Sequence, residues 1–335
     1  MRLLPPRLRH AASALRAVAG STLKEGLQQP VTLLLALSCC ELVALQPILQ
    51  LHTFGEAGRL TRDCGMAFLL VFGVFVAAFT AGSTLAAEIR DGTAATALAK
   101  PVSRPLFLLG KFLGACGVAA VFAWCATWQA LLAERTAEHW VETARTAGEV
   151  RDALCGLVSA LLLPAAALGI AAVANARARR RFPLWFFGAF AALAPLAALA
   201  LGLVARDGTW LGPRGWSPQL DLRLVPLALQ LLLLLFVFCA LATAFSTRLQ
   251  TGPAAALSFL VLFLGFLADG AAAAGPAGRL LAALVPDVQH FWTADALARG
   301  GTIGAGRVAR VALYAATYCG FVLSCGCLAF RDRDL

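Results

Sequence analysis

The chain has 335 residues, 60% of them hydrophobic and 14% charged, with a formal net charge of +10. A soluble domain is nearer about 45–50% apolar and about 25% charged, because its surface must be polar. A lipid bilayer removes that need, so the composition excludes a soluble globular fold. The positive charge falls in short clusters between apolar runs, with no recognition motif, which argues against a nucleic-acid partner.

Residues 1–30 precede the first long apolar run. Leu8, Ala12, Leu15, Val18/Ala19, Thr22/Leu23 and Leu27 recur there at helical spacing, Arg7, Arg9, Arg16 and Lys24 occupy the rest, and Pro30 closes the segment. The pattern predicts an amphipathic helix in the inner membrane interface, its apolar side toward acyl chains and its basic side toward headgroups. The apolar run that follows lies behind too long a basic segment, and lacks a small-residue cleavage site, for a secretory signal, so the first span is expected to stay in the protein.

A crossing helix needs about 20 apolar residues. Eight runs qualify, at roughly 31–51, 65–87, 106–132, 153–174, 184–205, 224–246, 254–274 and 308–330. The seventh is the weakest as a full crossing, because it carries Asp269, and six spans remain possible. The predicted fold is an all-α polytopic integral membrane protein, with residues 31–335 forming one transmembrane domain. Three outer segments separate the spans, at 134–152, 206–223 and 275–307. The first holds Glu134, Glu138, Glu142, Glu149 and Asp152 and reads as a solvated acidic cap. The second holds Trp210 and Trp216 among Gly and Pro, suited to headgroup depth.

Orientation follows from loop charge. With the N-terminus inside, the inner segments carry 16 Lys and Arg against 11 outside, with Arg310 in the last span, and 5 acidic residues against 11. Arg177, Arg179, Arg180 and Arg181 directly follow a span and would be costly to translocate. Both termini are therefore expected in the cytoplasm, with the chain in the inner (cytoplasmic) membrane of a bacterium.

Most of the ten cysteines lie within apolar runs and read as small hydrophobes. Cys325-Gly326-Cys327 is the only tight pair, and a Zn site needs about four ligands. None of His10, His52, His139 and His290 falls inside a predicted span. There is no H-E-x-x-H, no G-x-S-x-G and no phosphate-cradling loop: Gly110-Lys111 is followed by Phe112 where Ser or Thr would hold Mg²⁺. The chain is expected to be no enzyme and to hold no cofactor or metal. Within the spans, Glu41 is the costliest residue and a candidate lining for a translocation path, the alternative being a carboxyl that fixes packing. Asp269, followed by Gly270, is a second candidate, or the end of its span. Gly110-x-x-x-Gly114 has the spacing for close helix approach.

Residues 88–111 read EIRDGTAATALAKPVSRPLFLLGK and join the second and third spans on the inner side. Gly92-Thr93 makes a break, Thr93 suits an N-cap for a short helix over 94–99, and Pro101 and Pro105 redirect the chain. Arg104 and Lys111 are placed to reach headgroup phosphates or a partner's carboxylates. A short charged helix held there can pass force from a cytoplasmic partner to two spans.

The pattern formed by Glu88, Gly92, Thr93, Leu98, Lys100, Pro101, Ser103, Arg104, Gly110 and Lys111 resembles the signature of ABC transporter permeases of the type-2, exporter-like class. The helix before the first span agrees, as do Pro286-Asp287, Phe291-Trp292 and Asp295 ahead of the last span and Phe330-Arg331-Asp332 after it. The resemblance implies that residues 88–111, including Arg90, couple to a separate cytoplasmic ABC ATPase, which would hold the ATP and Mg. It also implies a homodimer or heterodimer of permeases. It covers the first and last three spans, and the hairpin of spans four and five departs from six-span relatives. Two other readings stay open: a membrane scaffold or assembly factor with a permease fold, and a secondary transporter using Glu41 as its proton site.

Overall fold

The computed structural model describes residues 6–50, 56–90, 92, 103–137, 139–142, 147–150, 152–179, 181–205, 209–212, 220–273 and 275–331. The elements are α1 (Pro6–Gln28), α2 (Pro30–Leu49), α3 (Ala57–Arg90), α4 (Arg104–Thr136), a hairpin of β1 (His139–Glu142) and β2 (Ala147–Val150), α5 (Ala153–Ala178) and α6 (Phe182–Leu201). They continue with α7 (Leu224–Ser246), α8 (Thr251–Ala273), α9 (Pro276–Leu284), α10 (Ala294–Ala298) and α11 (Ala305–Arg331). Among the described residues eight helices, α2 to α8 and α11, are long and apolar enough to cross a membrane.

Contacts at the helix ends show that the spans alternate. Gln28 meets Arg181, Ser83 donates to Gln29, Gly82 packs on Thr251, and Arg104 donates to Arg331. At the opposite end Arg62 faces Glu134 and Asp221, Arg135 meets Asp152 and the Leu201 carbonyl, and Arg223 reaches Gly300. The end holding Arg104 is termed inner below, the other outer. The start of α2 and the end of α11 therefore share the inner end.

Prolines and π turns shape the spans. Pro30 sits in the first turn of α2 and Pro183 in that of α6, where a missing N–H removes nothing from the helix ladder. α3 widens into a π turn over Gly82–Ala86, and α5 does so over Val158–Leu162, just ahead of Pro164. α3 and α4 have 34 and 33 residues. At 1.5 Å per residue each is about 50 Å long, well beyond the about 30 Å hydrocarbon core.

α3, α4 and α7 form the centre, with α2 and α11 packed against them and α8 against α3. Gly73 of α3 lies so close to Leu235 of α7 that an added Cβ would sit 2.6 Å from its Cδ1. The α5–α6 hairpin is peripheral and leans on α4 mainly through α6. The helix of the seventh span, weakest by sequence, runs on to Ala273, while the part long and apolar enough to cross a membrane is Thr251–Ala268, directly before Asp269.

α1 is the expected helix, and the second half of its apolar side packs on protein. Val18 packs on Gly110, Thr22 on Gly114 and Leu23 on Gly117 of α4, while Gly26 packs on Val118 and on Thr80 of α3. Equal steps along both chains mean that α1 and α4 run parallel and in contact for about two turns. The Gly110-x-x-x-Gly114 spacing does permit close approach. Adding a Cβ at Gly114 would bring it 2.8 Å from the Ala19 carbonyl oxygen, which is backbone and cannot swing aside. Gly114→Ala should weaken α1 docking by about 1–3 kcal/mol. Tryptic cleavage at Arg16 or Lys24, both exposed on α1, should then run about tenfold faster. Unchanged cleavage would show that α1 is not held by this groove.

Candidate functional site

The site is built at the inner ends of α3, α4 and α11, where residues 88–111 leave one span and enter the next. The π turn of α3 lets Gly82 approach the backbone of Thr251, at the start of α8, so closely that a Cβ would lie 3.0 Å from its Cα. Two residues later the Thr84 carbonyl accepts a hydrogen bond from Lys111 Nζ at 3.3 Å. The same Nζ pairs with Glu88 Oε1 at 2.8 Å and lies 5.7 Å from the centre of the Phe107 ring. The Lys111 side chain is 3% exposed. It therefore does not reach headgroups or a partner, as its position beside a span suggested. It bolts α4 to α3 beneath the loop. Glu25 of α1 faces the same pair: burial pushes its carboxyl above the usual range, Lys111 opposes that and Glu88 adds to it.

Arg104, half-buried, is a second fastener. Its Nη1 donates to the carbonyls of Phe330 at 3.1 Å and Arg331 at 2.8 Å, and its guanidinium carbon lies 5.8 Å from the Phe330 ring centre. Phe330 is fully buried and stacks on Phe107 with ring centres 6.4 Å apart. The last turn of a helix leaves carbonyls without partners and carries partial negative charge, so a guanidinium there satisfies both needs. Arg104 thus ties the start of α4 to the end of α11.

Between these fasteners Arg90, Gly92 and Ser103 are exposed among the described residues. Arg90 ends α3 in the open, beside a small cleft of about 130 Å³ shared with Ser246, Arg248 and Gln250. Gly92 follows with φ +71° and open space around its Cα, the left-handed turn that ends a helix without a Cβ penalty. Ser103 is exposed at the N-cap of α4, in extended conformation, and Pro105 occupies the first turn. Thr93, Leu98, Lys100 and Pro101 lie outside the described residues, as does the short helix expected over 94–99.

The other candidates are not part of this site. Glu41 is half-buried on α2, at the margin of a strip of exposed residues that includes Leu34, Leu42, Leu45 and Ile48. Among the described residues it has no hydrogen bond or ion pair. Asp269 lies on α8, toward the outer end. The motif residues before the last span fold into the bundle: Phe291 and Val288 are fully buried, Tyr314 Oη accepts from the Asp287 N–H at 3.1 Å, and Thr293 donates to Gln230 at 2.8 Å.

The sequence reading missed the charges at the outer end. The expected solvated cap contains two buried carboxylates. Asp152, 2% exposed, pairs with Arg135 Nε at 2.7 Å and accepts the Cys155 N–H at 2.9 Å as N-cap of α5. Arg135, 1% exposed, also donates to the carbonyls of Leu201 and Val204 at the end of α6. Glu134 is buried 3.6 Å from Arg62, which also lies 3.7 Å from Asp221. Burial would raise the Asp221 carboxyl, but hydrogen bonds from Arg223 and the charge of Arg62 outweigh it and hold it below the usual carboxylate range. The one available signal was the position of Glu134-Arg135 directly after an apolar run, where extending the helix by a turn carries both into the protein.

A family model described as ABC-2 family transporter protein matches residues 11–209, more than half of the chain. No curated protein matches. The matched region takes in α1, the first five spans and the α5–α6 hairpin. The hairpin lies inside the matched range, and the last three spans lie beyond it.

Proposed function

The chain belongs to the ABC-2 transporter family, and from that premise we propose that this integral membrane permease subunit serves an ABC exporter whose ATPase is a separate cytoplasmic chain docking on residues 88–111. The observation that carries the reading is the fastening of both feet of this loop. Lys111 is bonded to Glu88 and the Thr84 carbonyl, Arg104 is bonded to the end of α11, and Arg90, Gly92 and Ser103 are exposed between them. A partner that moves such a loop moves α3, α4 and α11 together rather than bending a slack linker.

On this reading the ATP and Mg belong to the partner, and the permease contributes the lever. Export is supported by the exporter-like pattern of residues 88–111. The basic inner segments support a bacterial inner membrane with both termini in the cytoplasm. Glu41, half-buried on the outward strip of α2, supports a pairing of two permeases, identical or not, in which this carboxyl faces a shared path rather than lipid.

The test is recovery of a candidate cytoplasmic ABC ATPase after its co-expression with the permease and pull-down of the permease. Arg90→Glu together with Lys100→Glu should reduce the recovered ATPase by about tenfold, since like charge at a docking surface disfavours encounter and binding. Full recovery would overturn the docking assignment.

A further inference from the structure

A groove of about 740 Å³ runs between the first turns of α4 and the last turns of α11. Pro105, Leu108 and Leu109 form one wall, and Leu323, Cys327 and Leu328 form the other. Arg104 and Arg331 stand at its inner rim. Leu328 is 64% exposed, and Arg331 is exposed in the last turn of α11.

We propose that this groove binds one anionic phospholipid, an acyl chain lying against the leucine walls and the phosphate at Arg104 and Arg331. Apolar walls ask nothing of a hydrocarbon chain. Basic residues above a cleft between spans, at the end that the charge count places in the cytoplasm, favour an anionic headgroup. Arg104 is held at the rim by the Phe330 and Arg331 carbonyls, so little side-chain freedom is lost when a headgroup arrives. Charge also decides against a second copy of this chain. The inner segments carry 16 Lys and Arg against 5 acidic residues, so self-association here would set like charges together.

The test is native mass spectrometry of the purified protein titrated with phosphatidylglycerol or with phosphatidylcholine. One phosphatidylglycerol should be retained about tenfold more tightly than phosphatidylcholine, and Arg331→Gln should weaken phosphatidylglycerol alone by about fivefold. Arg331 is exposed at a helix end, so this variant tests the site and not the fold. Leu328→Trp, which fills the groove, should weaken both lipids. Equal retention of the two lipids, or phosphatidylglycerol binding unaltered in Arg331→Gln, would overturn the proposal. So would loss of a protein dimer in Leu328→Trp with lipid binding unchanged, because a second copy would then be the occupant.

Discussion

Arg135→Leu should lower the unfolding free energy of the detergent-solubilised protein by about 3–5 kcal/mol, the usual effect of removing one partner of a buried ion pair. The variant leaves Asp152, 2% exposed, without its cation. It also removes the donors to the Leu201 and Val204 carbonyls. Those partners lie at the start of α5 and the end of α6, so the local consequence is specific: the outer end of the α5–α6 hairpin should detach from α4. Arg135→Lys keeps the charge but has no planar fork to serve a carboxylate and two carbonyls at once, so it should fall between wild type and Arg135→Leu. Unfolding in graded denaturant with tryptophan fluorescence reads the first effect. Tryptic cleavage after Arg206, just beyond Val204, reads the second. A loss below about 1 kcal/mol would show that the pair is solvated like a surface bridge and holds nothing together.

The same residue shows where sequence reading ran out. The spans were legible because about 20 apolar residues in a row have no other stable place. Their ends were not, because a charge normally marks the boundary of a span. Glu134 and Arg135 look like the start of a loop until Asp152, 17 residues on, is seen to pair with Arg135. Pairing between charges on different helices leaves no local pattern. The apolar stripe of α1 was legible in the same way, while its partner was not. Lipid and protein are both apolar, and only the complementary row Gly110, Gly114 and Gly117 on α4 tells them apart. In residues 88–111 the residue types stood out, but their roles divide. Lys111 and Arg104 fasten helices, and Arg90 and Ser103 face out.

That division yields the second large effect. Lys111→Met should leave ATPase recovery in the pull-down within about twofold of wild type, because the exposed face of the segment is intact, yet reduce permease-stimulated ATP hydrolysis by about tenfold or more. The substitution keeps the stem of the side chain against Phe107 but strands Glu88 and the Thr84 carbonyl, so α3 and α4 no longer move as one. The charge swap Glu88→Lys with Lys111→Glu should recover part of the stimulation, and the coupling energy of the double-mutant cycle should be about 0.5–3 kcal/mol. Arg90→Glu with Lys100→Glu is the contrasting case, losing the ATPase itself. If Lys111→Met removed the ATPase from the pull-down as fully as that pair does, Lys111 would be part of the docking surface and the fastener assignment would fail. If it left stimulated hydrolysis intact, force would not pass through the Glu88–Lys111 bond, and Arg104 on the end of α11 would be the remaining route from the loop into the bundle.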